Sequence, residues 1–324
     1  MPVGVLSARG AIGLATLAAL AIGVGAAAAV TPGATPPTFV DALGQTVSWV
    51  TPPQRIVSLS PNLTEVLFAI GCDSSCVVGD TRFCDYPPAA VRIARVGGIV
   101  DPSLEAIVAL RPDLVLATRG NPLEFMESLR RLKIPVYALE DRGGLSQVFR
   151  LVREIGAVTG RWTPGDSLAR SLEARVEAVR QRTAGLAAGA RPRVYFGELE
   201  GALWTAGPGT YIDDLIAAAG GRNVASIAAA AWSALALEAI VMRDPQVYLG
   251  TFPGADTPER GREAEARVVR LLRTREGWAG TQLGRHPRVF LVQEDRLMRP
   301  GPRMIAVLEA FARFLHPDLG WREP

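Results

Sequence analysis

The 324-residue chain carries two histidines, His286 and His316, and three cysteines, Cys72, Cys76 and Cys84. A structural zinc site takes about four converging Cys or His ligands, and a catalytic one takes about three protein ligands. Two His near the C-terminus and three Cys far from them supply neither. A metal cage built by the protein itself is therefore not expected, and any metal it handles should arrive inside a larger ligand. Nucleophilic chemistry is no better served. There is no Gly-x-Ser-x-Gly elbow and no glycine-rich phosphate loop behind a strand, and neither His has a plausible nucleophile in its sequence context. The 32 Asp and Glu residues keep a carboxylate mechanism open, but a secreted α/β hydrolase or a chelatase finds less support than a protein that binds without turnover and uses no cofactor.

Binding chemistry finds better material. A broad, partly apolar ligand with polar groups at its edge is held by aromatic plates and a few donors. Tyr86, Trp204 and Trp232 each follow soon after an expected strand or sit in a connection between the halves of the chain, where doubly wound sheets place ligands. Core packing is the competing use of each ring.

These positions imply the elements that must hold them. In the first half, 55–59, 77–79, 114–117 and 136–139 are short apolar runs bounded by turn residues, as buried parallel strands require. In the second half, 193–197, 246–250 and 288–292 read the same way. Helical segments alternate with them, which predicts an α/β fold with mainly parallel sheets flanked by helices. Asn62 and Glu65 form a capping-box pattern behind Pro61, and Asp101-Pro102 offers a cap and first-turn proline to the helix carrying Glu105. Runs at 39–42 and 47–50 around Gly44-Gln45 read as an opening hairpin.

The chain also repeats itself. Leu104-Glu105-Ala106-Ile107-Val108, followed by Pro112, recurs as Leu237-Glu238-Ala239-Ile240-Val241, followed by Pro245. Arg55-Ile56-Val57 has a counterpart in Arg193-Val194-Tyr195. Two collinear matches predict two similar lobes, 39–162 and 191–317. Between them, 163–190 reads as one long helix opened by Thr163-Pro164 and running to about 187. Leu168, Leu172, Val176 and Val179 line one face, and the helix is ~36 Å long at about 1.5 Å per residue.

Residues 1–29 carry one charge, Arg9, before an apolar run rich in Ala and Gly, and read as a signal peptide followed by a Pro-rich linker, 30–38. A retained membrane anchor is the other reading. No Cys precedes Cys72, so lipid attachment through a leader cysteine is closed off. An oxidising compartment suits a disulfide. Cys72 follows an expected helix and Cys76 precedes an expected strand at one end of a unit, whereas Cys84 lies at the opposite end. That arrangement favours a Cys72–Cys76 pair and leaves Cys84 as a buried thiol. The 35 basic side chains against 32 acidic ones give +3 and a pI near 9.0. Only one is a lysine, Lys133, and the arginines are scattered, so nucleic-acid binding is not expected.

A set of segments carries a family resemblance. Arg55-Ile56-Val57-Ser58-Leu59-Ser60-Pro61, Thr64-Glu65, Cys84-Asp85-Tyr86-Pro87-Pro88, Val96-Gly97-Gly98 and Pro112-Asp113-Leu114-Val115 lie in the first lobe. Thr205-Ala206-Gly207-Pro208-Gly209-Thr210, Asp213-Asp214-Leu215 and Arg299-Pro300-Gly301-Pro302-Arg303 lie in the second. Together, over about 38–316, they resemble the class III periplasmic binding proteins, whose lobes share a rigid helical backbone and which serve ABC importers of cobalamin, haem and ferric siderophores. The resemblance implies a soluble, monomeric periplasmic protein that captures a metal chelate between its lobes and delivers it to a permease dimer. It implies ligand contacts at Tyr86, Trp204 and Trp232 and in the loop Asp295, Arg296, Leu297, Met298, Arg299. Arg119, Arg299 and Arg303 would serve carboxylates or oxygen-rich chelates, and Tyr86 could be an axial ligand to haem. Ile99 and Thr118 stand where cobalamin binders can carry Trp. A cobalamin or related corrinoid ranks first, haem or a ferric siderophore second. Glu105 and Glu238, equivalent in the repeat, are implied as docking acids for basic residues of a two-fold permease, and His286 and His316 are expected at the surface.

Overall fold

The opening hairpin forms from β1 (Thr38–Val40) and β2 (Thr46–Ser48), paired antiparallel. The computed structural model describes residues 36–321. The expected signal peptide, with Arg9, and residues 30–35 of the expected linker lie outside the described residues.

The N-terminal lobe follows as β3 (Ile56–Ser58), α1 (Pro61–Ala69), β4 (Val77–Asp80), β5 (Ala94–Arg95), α2 (Leu104–Ala109), β6 (Leu114–Thr118), α3 (Leu123–Arg131), β7 (Val136–Leu139) and α4 (Leu145–Val158). Its five strands are all parallel, in the order β5-β4-β3-β6-β7. Every residue of β3, β6 and β7 is buried, which is why these strands read as unbroken apolar runs rather than alternating ones.

After α5 (Trp162–Ala184) the C-terminal lobe runs β8 (Arg193–Phe196), β9 (Trp204–Ala206), α6 (Tyr211–Ala218), β10 (Arg222–Asn223), β11 (Trp232–Ala234), α7 (Leu237–Val241), β12 (Val247–Phe252), α8 (Pro258–Thr274), α9 (Gln282–Arg285), β13 (Val289–Gln293), α10 (Glu294–Met298) and α11 (Arg303–Leu315). Its parallel sheet has the order β10-β8-β12-β13, and β9 pairs with β11 in a separate antiparallel ribbon. The architecture is thus α/β, with two lobes on one backbone helix, as expected. The ribbon is an addition.

The helix starts differ from their sequence signals. Pro61, with its fixed φ and missing N–H, takes the first helical position of α1 behind Ser60. Asn62 and Glu65 therefore fall inside the helix, and the expected capping box does not form. Ser103 caps α2, its Oγ accepting from the Ala106 N–H at 3.2 Å, while Asp101 turns to Arg82 at 2.9 Å. The backbone helix begins at Trp162, just ahead of Thr163, and ends at Ala184.

That helix is anchored on both sides. Where α4 and α5 cross, Gly156 and Gly165 meet so closely that a Cβ on either would lie 2.9 Å from the other's Cα. Arg153 of α4 holds Glu173 through two bonds of 2.7 and 2.6 Å, and Arg175 of α5 holds Glu309 of α11 through two of 2.8 Å. Asp214 of α6 reaches across to accept the Leu145 N–H at 2.9 Å, capping the N-terminus of α4 from the other lobe. One continuous buried cluster joins Leu63, Val152, Leu172, Ile212 and Phe311, and so runs from the first lobe through the strut into the second.

Cys72 and Cys76 form a disulfide, with alpha carbons 5.3 Å apart, and Cys84 is free and buried. His286 is exposed. His316, expected at the surface from the sequence, is buried instead: it is 9% exposed and its Nε2 lies 3.2 Å from the Gly220 carbonyl, because the end of α11 folds back on the loop after α6. Burial lowers its pKa.

Candidate ligand-binding cleft

In each sheet the chain reverses its direction of travel beside a central strand, between β3 and β6 in one lobe and between β8 and β12 in the other. Loops leaving the carboxyl ends of such strands are splayed apart and leave a crevice. A cavity of about 410 Å³ lies at the β8/β12 ends, lined by Phe196, Trp204, Trp232, Tyr248 and Met298 among others. A second, of about 290 Å³, is lined by Pro61, Asn62, Phe83 and Asp141 of the N-terminal lobe and by Asp295 and Arg299 of the C-terminal lobe. Met298 borders both, so the two cavities adjoin.

The ribbon positions the two tryptophans. In its register Trp204 faces Ala234 and Trp232 faces Ala206, so both rings project on one face and sit diagonally. They are 51% and 40% exposed, a large apolar area for a side chain with nothing on it. The Trp232 ring also meets Phe196 and Tyr211, with centroids 6.2 Å away in each case. Tyr248 donates its hydroxyl to the Gly197 carbonyl at 2.9 Å. Gly250, two residues on and on the same strand face, leaves room for that ring; a Cβ there would overlap it.

Tyr86 leaves the loop after β4. Arg95 braces this loop by pairing with Asp80 and donating to the Thr81 and Cys84 carbonyls at 2.9 and 3.0 Å. Burial pushes Asp80 up to about 7 in spite of Arg95, and burial also raises the Cys84 thiol. Tyr86 is 42% exposed, with the Arg303 guanidinium 4.2 Å from its ring centroid.

Between the lobes lies a cluster of charges. Arg299 reaches Asp85 at 2.5 Å, Asp295 at 2.7 Å and Glu65 at 3.3 Å, and donates to the Phe83 carbonyl at 3.1 Å. Arg303 grips Glu65 with both prongs, its Nε at 2.8 Å. Burial raises the Glu65 pKa against the pull of both arginines. Burial also works against charge on Asp85, but the Arg299 bond outweighs it and holds that carboxyl low. Asp141 is pushed up by burial.

The expected ligand residues divide. Tyr86, Asp295, Arg299 and Arg303 come together around Glu65, and Trp204, Trp232 and Met298 surround the larger cavity. Leu297 does not fit a ligand role: it is fully buried in the core cluster, because the short α10 turns that side inward. Arg296 points to Asp256 at 3.0 Å and Arg119 to Glu140 at 3.1 Å; neither borders the two cavities. Glu105 and Glu238 are exposed in the first turns of α2 and α7. Sequence reasoning missed Glu65, Asp85 and Tyr248 as cleft residues. Asp85 adjoins Tyr86, and strand alternation from Gly250 leads to Tyr248. Other hollows exist: about 670 Å³ beside α4 and α5, and about 450 Å³ under α8, the latter sharing Glu198 and Tyr248 with the cleft. Among the described residues no group of three or more His, Cys, Asp and Glu is placed to hold a metal ion.

Comparison with known proteins bears on this geometry. The family model described as "Periplasmic binding protein" matches residues 56–295. A cobalamin-binding protein of Halobacterium salinarum is 29% identical over 286 residues, 87% of this chain and 74% of its own. An ABC transporter substrate-binding lipoprotein of Bacillus subtilis is 27% identical over 287 residues, 87% of this chain and 86% of its own. Among solved structures, the apo periplasmic haem-binding protein of Roseiflexus superposes with a TM-score of 0.69 at 28% identity, covering 82% of this chain and 99% of the other.

Proposed function

The chain belongs to the periplasmic binding protein family, and from that premise we propose that it captures a cobalamin or related corrinoid between its lobes and hands it to the permease of an ABC importer. The observation that carries this reading is the aromatic cavity at the carboxyl ends of β8 and β12, where Trp204, Trp232 and Tyr248 surround about 410 Å³ and Met298 joins it to the smaller cavity between the lobes. Flat apolar plates of this kind suit the broad face of a macrocyclic chelate. The similarity to a cobalamin-binding protein over 87% of the chain supports the same choice. Haem is the second reading, favoured by the similarity to the Roseiflexus protein and by Tyr86 at the cleft. Tyr86 meets a competitor there, since Arg303 stacks over its ring.

The protein works outside the cytoplasm, as a monomer released from its leader. Glu105 and Glu238 present one exposed acid per lobe at matching helix starts, which suits a two-fold permease carrying basic residues. Such pairs act mainly on the rate of encounter. Binding without turnover is tested by exposing the purified protein to cyanocobalamin, haemin and a ferric siderophore and recording the visible spectrum after gel filtration. Stoichiometric retention of the corrinoid chromophore, unaltered, is expected; a protein that retains none of the three does not bind chelates.

A further inference from the structure

We propose that the cleft selects a chelate whose edge is uncharged, and that Glu65 sets this selection by occupying the two arginines that an acidic edge would need. The proposal rests on the chelate-binding reading and names the class of chelate within it.

The charges on the cleft walls are lopsided. Glu198 and Glu294 line the larger cavity, whose lining among the described residues includes no arginine, and Asp141 and Asp295 line the smaller one, where Arg299 is the one arginine of the lining. That single cation already contacts three carboxylates, those of Asp85, Asp295 and Glu65. Arg303, behind it, is held bidentately by Glu65, whose side chain is 3% exposed. Three further arginines around the cleft are paired: Arg82 with Asp101, Arg119 with Glu140, and Arg296 with Asp256.

A carboxylate or catecholate arriving at this wall would meet surplus negative charge, and would gain a guanidinium only by evicting Glu65 from a buried pair. Leaving a buried carboxylate without its partner is among the more costly changes a protein can undergo. A neutral edge meets no such barrier. It also meets a donor at the wall: Asn62 is 3% exposed, borders the smaller cavity and offers its Nδ2 there beside the Asp141 carboxyl. A buried amide N–H of this kind is satisfied by a carbonyl oxygen, such as a primary amide offers. Removing the charge of Glu65 would free the Arg303 guanidinium toward the cleft, leave Arg299 with Asp85 and Asp295 as its carboxylate partners, and weaken the preference.

The test compares dicyanocobinamide, with amides around its ring, and dicyanocobyrinic acid, with carboxylates there, by equilibrium dialysis with absorbance detection. The wild-type protein is expected to bind the amide form at least about tenfold tighter, and Glu65→Gln to shrink that ratio about tenfold, mainly by tightening the acid form; a tenfold change corresponds to one modest charge–charge interaction. Equal binding of the two forms by wild type, or an unmoved ratio in a variant with unchanged circular dichroism, overturns the proposal. Should Glu65→Gln not fold, salt decides with wild type alone: discrimination that arises from repulsion weakens as ionic strength rises, and a salt-independent ratio counts against it. Haemin, with its two propionates, is the control. Tight retention of haemin overturns the proposal while the chelate-binding reading stands, whereas retention of no chelate removes both.

Discussion

Arg303, in the first turn of α11, lays both prongs of its guanidinium on the carboxylate of Glu65 in α1, joining the lobes across 238 positions of sequence. Glu65 is 3% exposed and Arg303 19%, so this pair is largely shielded from solvent and its loss should be felt. Arg303→Met is expected to cost ~3 kcal/mol of unfolding free energy, at the lower end for a broken buried pair because Arg299 remains beside Glu65. Glu65→Leu combined with Arg303→Met should recover most of it. Urea unfolding of the four proteins in a double-mutant cycle checks this, and additive losses would speak against a coupled pair.

The crossing of α4 and α5 at Gly156 and Gly165 makes a second prediction. A side chain at either position meets backbone, which cannot step aside. Gly165→Val should destabilise by about 2 kcal/mol or more through overpacking, whereas Gly189→Ala, with nothing within 4 Å of its Cβ, should be nearly silent. Thermal unfolding of both variants measures the contrast.

Asp80 gives a pH dependence of defined sign. Its pKa rises from the ordinary aspartate value of 3.8 to about 7 on folding because the side chain is buried. Between those values the folded state holds more protons than the unfolded one, so this group makes stability fall as pH rises through the window. Asp80→Asn should flatten that part of the stability profile between pH 4 and about 7. Urea titrations at several pH values test this, and a profile that keeps its slope in the variant would assign the effect elsewhere.

Docking through Glu105 and Glu238 is separable from ligand capture, since both acids are exposed and border neither cleft cavity. Glu105→Arg with Glu238→Arg should leave chelate affinity unchanged and slow association with the permease, most strongly at low salt. Transport into proteoliposomes that responds equally to the variant and the wild type would end the docking assignment.

Much of the fold is legible in the chain because β3, β6 and β7 are buried on both faces and leave continuous apolar runs. The ribbon of β9 and β11 is not, since each strand has three residues and lacks an extended pattern. Trp204 and Trp232 could be singled out by residue type, but their common face depends on that pairing. Glu65 illustrates the other limit. Its spacing from Asn62 mimics a capping box, and only the first-turn position of Pro61 and a partner in the far lobe reveal a cleft residue. Leu297 and Arg296 sit in a motif whose alternate residues face core and solvent, a split that the order of residues alone does not show.

The central claim, capture of a corrinoid on the aromatic wall, is tested most directly by titrating cyanocobalamin into the wild-type protein and into Trp204→Ala plus Trp232→Ala while following tryptophan fluorescence and retained corrinoid absorbance. The account predicts one corrinoid per wild-type protein and a loss of affinity of at least about 30-fold in the variant, the scale for removing two aromatic contacts of about 1 kcal/mol or more each. Retention of cyanocobalamin by the variant as tightly as by the wild type would contradict it.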